Sequence, residues 1–315
     1  MKQTFQFLSS NGHTQIKGYR WENTNKPFHA VLQMTHGMTE HMNRYDGFAE
    51  YMAEQGFLVV AHDHLGHGLS VEKPDDLGYF DPEHPSDTLI EDMHKLFLMT
   101  SGEFPDLPYF ILGHSMGSYM LRKYLTRYSQ GLSGAIVMGT GDVPRATCML
   151  AMTLTRIMAL FRSWRFRSRL MAKLSTGSGP YKQYCLDGSV PDRSWLTKDT
   201  EIVRRYYQDP LCTFTFTLNG YRGLFEAVLE DGDIENIRKI DPELPILLIS
   251  GKEDPVGDMG EGVLRVQQKM LQAGLKKVTC RLYEGDRHEV LNELDREQVY
   301  QDLRDWLQEQ ISTKA

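Results

Sequence analysis

The chain has 315 residues, of which 41% are hydrophobic and 24% charged, a composition typical of a folded globular protein with a large core. Its formal net charge of −7 argues against extensive nucleic-acid contact, because phosphate binding requires a basic face. Four cysteines lie far apart without zinc-binding spacing, which favours reduced thiols in a cytoplasmic protein.

The first residues, Met1–Gly12, alternate like a strand and contain no apolar run of signal-peptide length. Short apolar runs bounded by Gly, Pro and Asp follow, and they are typical of buried strands. These runs are Ala30–Met34, Phe57–Ala61, Tyr109–Leu112, Ala135–Met138, Ile246–Ile249 and Val278–Tyr283. Helical patterns lie between them, at Tyr45–Glu54, Thr88–Thr100, Tyr119–Tyr128 and Gly262–Leu271. This order predicts an α/β fold with a mostly parallel central sheet and helices on both faces.

The alternation stops at 143–230, which is far longer than a usual connection between a strand and a helix. This stretch contains no convincing strand pattern, so we expect a mainly helical insertion. The predicted division is a core in two parts, 1–142 and 231–315, separated by the insertion. A last helix places Val299, Leu303, Trp306 and Leu307 on one face, which should pack against the sheet. No uncharged stretch is long enough to predict a transmembrane helix.

The segment Gly113-His114-Ser115-Met116-Gly117 directly follows a predicted strand and precedes a helical pattern. A serine on such a tight turn needs small residues two positions to either side, because larger side chains would collide with the neighbouring elements. The turn also places the hydroxyl at a helix N-terminus, where free N–H groups favour developing negative charge. An isolated motif of this kind is often only a connecting turn, so it indicates a catalytic serine only when a base and a carboxylate accompany it.

Two further residues complete a catalytic triad in the order Ser, Asp, His. A serine nucleophile needs a base within hydrogen-bond reach and a carboxylate that fixes the tautomer of the base. Asp254 follows one predicted strand and His288 follows the next. Because the carboxyl ends of parallel strands meet at one edge of a sheet, the sequence predicts that Ser115, Asp254 and His288 come together there.

An oxyanion hole is expected from two backbone amides. Thr35-His36-Gly37-Met38 ends the strand at Ala30–Met34, which is where one donor is supplied in such enzymes, and the residue after the nucleophile supplies the other. The predicted donors are the N–H groups of Met38 and Met116. A plain tight turn at His36-Gly37 is the structural alternative.

Together these residues resemble the monoacylglycerol lipase and lysophospholipase branch of the α/β-hydrolases, whose domain carries the name serine aminopeptidase. The resemblance covers both parts of the predicted core and runs through 36–41 with Arg44-Tyr45, 63–70, 113–117, Asp254 and His288. It implies the α/β-hydrolase fold, with the insertion 143–230 as a cap or lid over an acyl pocket, and a reaction that needs no cofactor or metal. Ser118 departs from the family pattern, which commonly has Gly at this position.

The resemblance also implies that Arg44 and His114 lie near the polar end of the substrate. Each has a structural alternative, since Arg44 could pair with Glu40 and His114 could be a hydrogen-bonded buried histidine. The residues alone leave both roles open.

Seven basic and no acidic residues lie between Arg145 and Lys173. Apolar side chains repeat there at helical spacing, while Arg162, Arg165 and Arg169 share another face. This pattern predicts a basic amphipathic helix that contacts acyl chains or a membrane surface through Leu154, Met158, Phe161 and Trp164. The alternative is that the apolar face packs on the core or on a second subunit. The sequence does not determine the oligomeric state.

The sequence is also compatible with other functions. The run His62-Asp63-His64-Leu65-Gly66-His67 is similar to that of binuclear zinc hydrolases, but it lacks the usual Asp at position 66 and no second cluster completes a metal shell. We therefore interpret His62, His64 and His67 as residues that brace the turn beneath the nucleophile. A non-catalytic binding module would not need the triad. A peptidase or a short-chain carboxylesterase could use the same triad, and a peptidase would need carboxylates near the pocket, for which Glu226 and Glu230 are candidates.

The sequence thus predicts a serine hydrolase that cleaves carboxylic esters of lipids, such as monoacylglycerols or lysophospholipids, through an acyl-Ser115 intermediate. Its partner is a small acyl ester and not a nucleic acid. We expect it in the cytoplasm, with peripheral membrane contact through the cap.

Overall fold

The computed structural model, which describes residues 1–176 and 179–314, contains one eight-stranded sheet. The strands follow one another along the chain as β1 (Lys2–Leu8), β2 (Gln15–Trp21), β3 (Ala30–Thr35), β4 (Phe57–His62), β5 (Tyr109–His114), β6 (Gly134–Met138), β7 (Ile246–Gly251) and β8 (Val278–Tyr283). Their order across the sheet is β1-β2-β4-β3-β5-β6-β7-β8. The pairs β1–β2 and β2–β4 are antiparallel, and all other pairs are parallel.

Ten helices surround the sheet within the described residues. They are α1 (Asp46–Glu54), α2 (Pro85–Glu103), α3 (Met116–Tyr128), α4 (Arg145–Arg162), α5 (Arg169–Thr176), α6 (Thr200–Gln208), α7 (Leu218–Asp231), α8 (Ile234–Ile237), α9 (Glu261–Gln272) and α10 (Arg296–Lys314). Alternate side chains of the central strands enter two separate hydrophobic clusters, one on each face. Both faces are therefore covered, as a parallel sheet requires, and the predicted fold class is confirmed.

The predicted strands are all present, and several extend by one or two residues at their carboxyl ends. β5 continues to His114 and β7 continues to Gly251. These extensions matter because they carry the chain to the edge of the sheet where the predicted triad lies. The expected face of the last helix is also confirmed, with Val299, Leu303 and Leu307 fully buried.

The segment predicted as an insertion is mainly helical in its described residues, with α4 to α6 followed by α7. Helix α7 packs against α4 on one side and against α2 and α3 of the core on the other. The division of the chain at residues 142 and 230 stays a prediction, because α7 belongs to the packing of both parts. No helix among residues 1–176 and 179–314 is long and apolar enough to cross a membrane.

The single long basic helix predicted in this segment is wrong at its C-terminal end. Helix α4 ends at Arg162, and Ser163 has φ +81°, which turns the chain before Trp164. Leu154, Met158 and Trp164 are half-buried and pack against the core, whereas Phe161 is 82% exposed. The four side chains therefore do not form one exposed surface, because only Phe161 of the four is exposed and Trp164 lies beyond the turn that ends α4.

Candidate active site

Ser115 lies at the turn between β5 and α3 and has φ +53° and ψ −119°, a backbone conformation that non-glycine residues rarely adopt. The flanking glycines permit the turn. A Cβ atom at Gly113 would lie 2.4 Å from the Gly117 carbonyl oxygen, and one at Gly117 would lie 2.5 Å from the Thr35 carbonyl oxygen. The collisions expected from the sequence are thus present, and Ser115 is held half-buried at the N-terminus of α3.

Ser118, the residue that departs from the family pattern, contacts the nucleophile turn directly. Its side chain is buried, and its Oγ donates a hydrogen bond to the Ser115 carbonyl oxygen at 2.6 Å. Its backbone N–H also donates to this oxygen, at 2.8 Å. The hydroxyl therefore adds a further donor to the Ser115 carbonyl oxygen, a contact that glycine could not make.

Asp254 and His288 form a direct pair at the same edge of the sheet. His288 Nδ1 lies 3.0 Å from both carboxylate oxygens of Asp254, and both side chains are buried. The carboxylate also accepts hydrogen bonds from the Ser250 hydroxyl and the Val256 backbone N–H, each at 2.8 Å. Burial raises the pKa of Asp254, but the charge and hydrogen bond of His288 outweigh this effect and hold the pKa below its usual value. The aspartate is therefore ionised and orients the imidazole.

The His288 ring lies beside the nucleophile turn. Its centroid is 4.7 Å from that of His114, which directly precedes Ser115. Since Asp254 occupies Nδ1, Nε2 is the nitrogen left to act on the serine. The hydrogen bonds that the described part of the chain gives the His288 ring go to Asp254 and not to Ser115 Oγ. Contacts between a nucleophile and its base are often long in enzymes without substrate and shorten when it binds.

The predicted oxyanion donors flank Ser115. A Cβ atom at Gly37 would lie 3.0 Å from Ser115 Cβ, so the loop after β3 directly contacts the nucleophile. The Gly37 N–H is held by Glu40 Oε1 at 2.5 Å, which fixes this loop. We find no acceptor for the N–H groups of Met38 and Met116 among the described residues. Both amides are thus available to a substrate oxygen, and their role stays a prediction.

Arg44 and His114 lie in a buried network centred on Glu40. Arg44 bridges Glu40 and Glu289, with N–O distances of 2.5 and 2.6 Å. His114 Nδ1 lies 2.7 Å from the Tyr45 hydroxyl and 3.1 Å from Glu40 Oε1. The structural alternatives are therefore realised, and whether either side chain also contacts substrate stays a prediction.

The protonation of this network follows from its geometry. Burial lowers the pKa of His114, but the hydrogen bond and charge of Glu40 outweigh it, and the pKa lies above its usual value. His114 Nε2 is also 3.3 Å from the His288 carbonyl oxygen, so a protonated ring can donate from both nitrogens. Burial raises the pKa of Glu40, yet Arg44 and His114 hold it well below its usual range. The network is an arrangement of paired charges beneath the nucleophile.

The three histidines of the alternative metal site are fully buried beside His36. Within the described coordinates they do not form a group of three ligand atoms within 4.8 Å of one another, whereas His41, Asp209 and Cys212 do. Burial lowers the pKa of His62 and His67 to about 3, which keeps both rings neutral. The loop after β4 that carries them is held by the His64 backbone N–H, which donates to His36 Nε2 at 2.9 Å, and their bracing of the turn beneath the nucleophile stays a prediction.

Sequence reasoning missed the residues that cover His288. The Trp195 ring, from the insertion, lies 4.9 Å from the His288 ring, and Tyr181 contacts Trp195 at 5.6 Å. Arg287 and Asp286, which precede the base, contact the same part of the insertion. Their position next to His288 in the chain was an available signal, but Trp195 is about 90 residues away and no local pattern indicates this contact.

Comparisons with known proteins agree with this geometry. The family model described as "Serine aminopeptidase, S33" matches residues 26–295. A monoacylglycerol lipase of Mycolicibacterium smegmatis is 26% identical over 88% of this chain and 87% of its own, and a monoglyceride lipase of Rattus norvegicus is 25% identical over 93% and 86%. A thermostable carboxyl esterase from Bacillus coagulans, solved in complex with glycerol, superimposes with a TM-score of 0.89 at 29% identity, covering 98% of this chain and 99% of that chain.

Proposed function

The chain belongs to the serine aminopeptidase family and is a carboxylic ester hydrolase of the monoglyceride lipase type; from this premise we propose that it cleaves lipid esters through an acyl-Ser115 intermediate. The preferred substrates in this proposal are monoacylglycerols or lysophospholipids. The observation that carries the proposal is the position of the Asp254–His288 pair. It lies beside a serine in the strained turn between a strand and a helix.

The reaction proceeds in two stages. His288 Nε2 accepts the Ser115 proton while Oγ attacks the ester carbonyl carbon, and the N–H groups of Met38 and Met116 stabilise the resulting oxyanion. The bond to the alcohol then breaks as His288 donates the proton to the leaving oxygen. Water, activated by the same imidazole, attacks the acyl-enzyme and releases the fatty acid. Asp254 holds Nδ1–H of the resting imidazole by its hydrogen bond and stabilises the imidazolium that forms when Nε2 accepts the Ser115 proton.

An apolar acyl chain fits the surroundings of the triad. Trp195 and Tyr181 of the insertion form an aromatic cover over His288. Aromatic and aliphatic side chains dominate pockets that bury apolar ligands. In this proposal the insertion acts as the cap over the acyl site.

Peripheral membrane contact through the cap is a second part of the proposal. Large apolar side chains are exposed along α4 and α5; they are Met149, Leu150, Ile157, Leu160, Phe161, Leu170 and Leu174. Exposed basic residues surround them, including Arg156, Arg162 and Lys173. An apolar strip bordered by positive charge is complementary to an anionic lipid surface. Binding to such a surface would bring the cap to a membrane, where lipid esters are found.

A vesicle test addresses this contact. The double variant Leu160→Asp with Phe161→Asp should abolish sedimentation with vesicles containing phosphatidylserine, because it places two charges in the apolar strip. Both side chains are more than 80% exposed, so the substitutions should leave the fold intact. The matched control is Leu98→Asp with Met99→Asp on α2, where two apolar side chains are also exposed. Equal sedimentation of the two double variants would contradict the cap as the contact surface.

A peptidase remains the alternative on the same triad, but the two candidate carboxylates are occupied elsewhere. Glu226 accepts hydrogen bonds from Arg222 and Ser86, and Glu230 pairs with Lys123 and Arg127. Neither is free to bind a substrate α-amine. The zinc alternative at His62, His64 and His67 predicts loss of activity in chelator, whereas the triad predicts none.

One substrate panel tests the proposed function. Monoacylglycerols, lysophospholipids, p-nitrophenyl esters of graded acyl length and aminoacyl anilides are assayed with wild type and Ser115→Ala. We expect the highest kcat/KM on the lipid esters and loss of turnover in Ser115→Ala. A preference for aminoacyl anilides would favour the peptidase, and a preference for acetyl esters would favour the short-chain esterase.

A further inference from the structure

The segment 192–198 of the cap lies directly against the loop that carries His288, and we call it the cap clasp. The backbone N–H of His288 donates to the Trp195 carbonyl oxygen at 3.4 Å, and that of Glu289 donates to the Leu196 carbonyl oxygen at 2.8 Å. The clasp therefore holds the main chain of the base itself. The proposed base is fixed by the cap as well as by Asp254.

Arg287 closes the clasp from the side of the core. One nitrogen of its guanidinium, NH1, donates to the carbonyl oxygens of Asp192 at 3.0 Å, Ser194 at 2.7 Å and Thr197 at 3.3 Å. Three acceptors from one segment of the cap converge on a side chain next to the base. Arginine suits this position because its planar group presents several donors in fixed directions.

Lys198 closes the other end of the clasp. Its Nζ lies 2.7 Å from Asp286 Oδ1, and the Asp286 side chain is fully buried. The two oxygens of Glu293 accept the backbone N–H groups of Lys198, at 3.0 Å, and Arg287, at 2.8 Å. One carboxylate thus joins the cap and the base loop, and Lys198 supplies the cation that compensates the buried Asp286.

The clasp also brings Trp195 onto the imidazole. The ring centroids of Trp195 and His288 are 4.9 Å apart with an angle of 31° between the planes. Asp254 holds Nδ1, so the ring has contacts from the core and from the cap. A catalytic side chain has to be held within about 0.5 Å of its productive position, and neighbouring packing and hydrogen bonds supply this restraint.

We propose that the cap clasp sets the orientation of the His288 imidazole, with Lys198 and Arg287 as positioning residues for the hydrolytic reaction. This inference rests on the proposed function, since it takes His288 as the base. Loosening the clasp through Lys198 or Asp286 displaces the base from Ser115 but replaces neither Trp195 nor Tyr181, the aromatic side chains proposed to cover the acyl site. It therefore lowers kcat more than it raises KM.

The leaving group gives a second readout. A glycerol alkoxide must receive a proton from His288 before it departs, whereas p-nitrophenolate leaves without one. A displaced base should therefore slow a monoacylglycerol more than a p-nitrophenyl ester of the same acyl chain. A purely structural loss of folded enzyme would slow both substrates equally.

The experiment compares Lys198→Met, Lys198→Arg and the double variant Lys198→Met with Asp286→Asn. The double variant removes both charges of the Lys198–Asp286 pair, so Asp286 is not left as a buried charge without its cation if the single variant folds poorly. Lys252→Met is the matched control, because Lys252 forms an exposed pair with Glu284 at 2.6 Å beside the same loops. The measurements are kcat and KM on both substrates, the rate of fluorophosphonate labelling and the unfolding midpoint.

We expect the double variant to lose about 10- to 100-fold in kcat on the monoacylglycerol, a cost typical of a misplaced catalytic group, with KM within about 2-fold of wild type. The loss on the p-nitrophenyl ester should be smaller, labelling should slow, and Lys198→Arg and Lys252→Met should retain wild-type rates. A folded double variant with wild-type kcat, or an equal loss on both substrates, overturns the clasp. If Ser115→Ala keeps its turnover, the proposed function itself fails; if only the clasp variants behave as wild type, the clasp alone is refuted.

Discussion

His67 shows how a conspicuous residue of the sequence can serve the fold. Its ring is fully buried and contacts the rings of Phe80, Phe214 and Phe216 at 5.3–5.7 Å. Burial keeps it neutral, with a pKa of about 3. The sequence shows that three histidines lie in one loop, but only packing shows that aromatic rings surround this one.

The neutral ring predicts a pH-dependent stability. In the unfolded chain His67 binds a proton as the pH falls through about 6.5, whereas in the folded chain it does not until about pH 3. Its contribution is therefore complete above pH 7 and is lost progressively below pH 6.5. Replacing it by Phe, which suits the aromatic surroundings, should remove this loss.

The test measures urea unfolding at pH 7.5 and 5.5. The drop in unfolding free energy between these values should be smaller by about 1.4 kcal/mol in His67→Phe than in wild type, the size expected for one histidine over this range. The control is His84→Phe, where the side chain is exposed and the wild-type drop should persist. An unchanged drop in His67→Phe would show that the ring is protonated in the folded protein.

Individual residues also show which parts of the site the sequence could predict and which it could not. Gly113 and Gly117 were predictable because steric exclusion around a tight turn is local. Asp254 and His288 were predictable because each follows a strand. The sequence could suggest the ion pair of Arg44 with Glu40, because Glu40 is four residues away. It could not suggest the ion pair with Glu289, because Glu289 is distant in the chain. The role of Arg44 therefore stayed open between an ion pair and a contact with substrate.

At the scale of elements, α3 links the turn that carries Ser115 to α7, the last helix of the insertion. Arg122 on α3 is buried and lies 3.2 Å from Asp231 at the end of α7. Its NH1 also donates to the Thr140 hydroxyl and to the Gly141 carbonyl oxygen, just after β6. Burial raises the pKa of Asp231 to about 7 despite the opposing charge of Arg122. One side chain thus holds together three elements around the site.

Breaking this pair should destabilise the protein strongly. Arg122→Met should cost about 3–5 kcal/mol of unfolding free energy at pH 8, because Asp231 stays buried without its cation. The cost should be smaller at pH 6, since the folded state can then protonate Asp231, whose unfolded pKa is near 3.8. Arg122→Met with Asp231→Leu removes both groups and should recover much of the loss in denaturant unfolding. A single variant within about 0.5 kcal/mol of wild type would contradict this role.

Element prediction succeeded where periodicity was unambiguous. The buried strands and the face of α10 follow from runs and spacing that no other contact disturbs. The prediction of one continuous basic helix failed at Ser163. This single residue has a positive φ and ends α4, although the apolar spacing continues through Trp164. Hydrophobic periodicity reports which side chains are apolar, but not where the backbone turns.

At the scale of the whole molecule, the sheet brings three distant segments together, and a residue of the insertion lies against one of them. The triad residues come from the ends of β5, β7 and β8, while Trp195 comes from the insertion. The order of strands explains why the placement of Ser115, Asp254 and His288 at one edge of the sheet was predictable, whereas the contact of Trp195 with His288 was not. Crossover rules constrain a parallel sheet, but no comparable rule places a helical insertion above it.

The most direct test of the account is to map the covalent adduct of a fluorophosphonate on the intact protein and its peptides. We predict one adduct per chain, on Ser115, with labelling slowed at least about 100-fold in His288→Ala and no adduct in Ser115→Ala. An adduct on a different serine, or undiminished labelling of His288→Ala, would contradict the central claim that this histidine activates this hydroxyl.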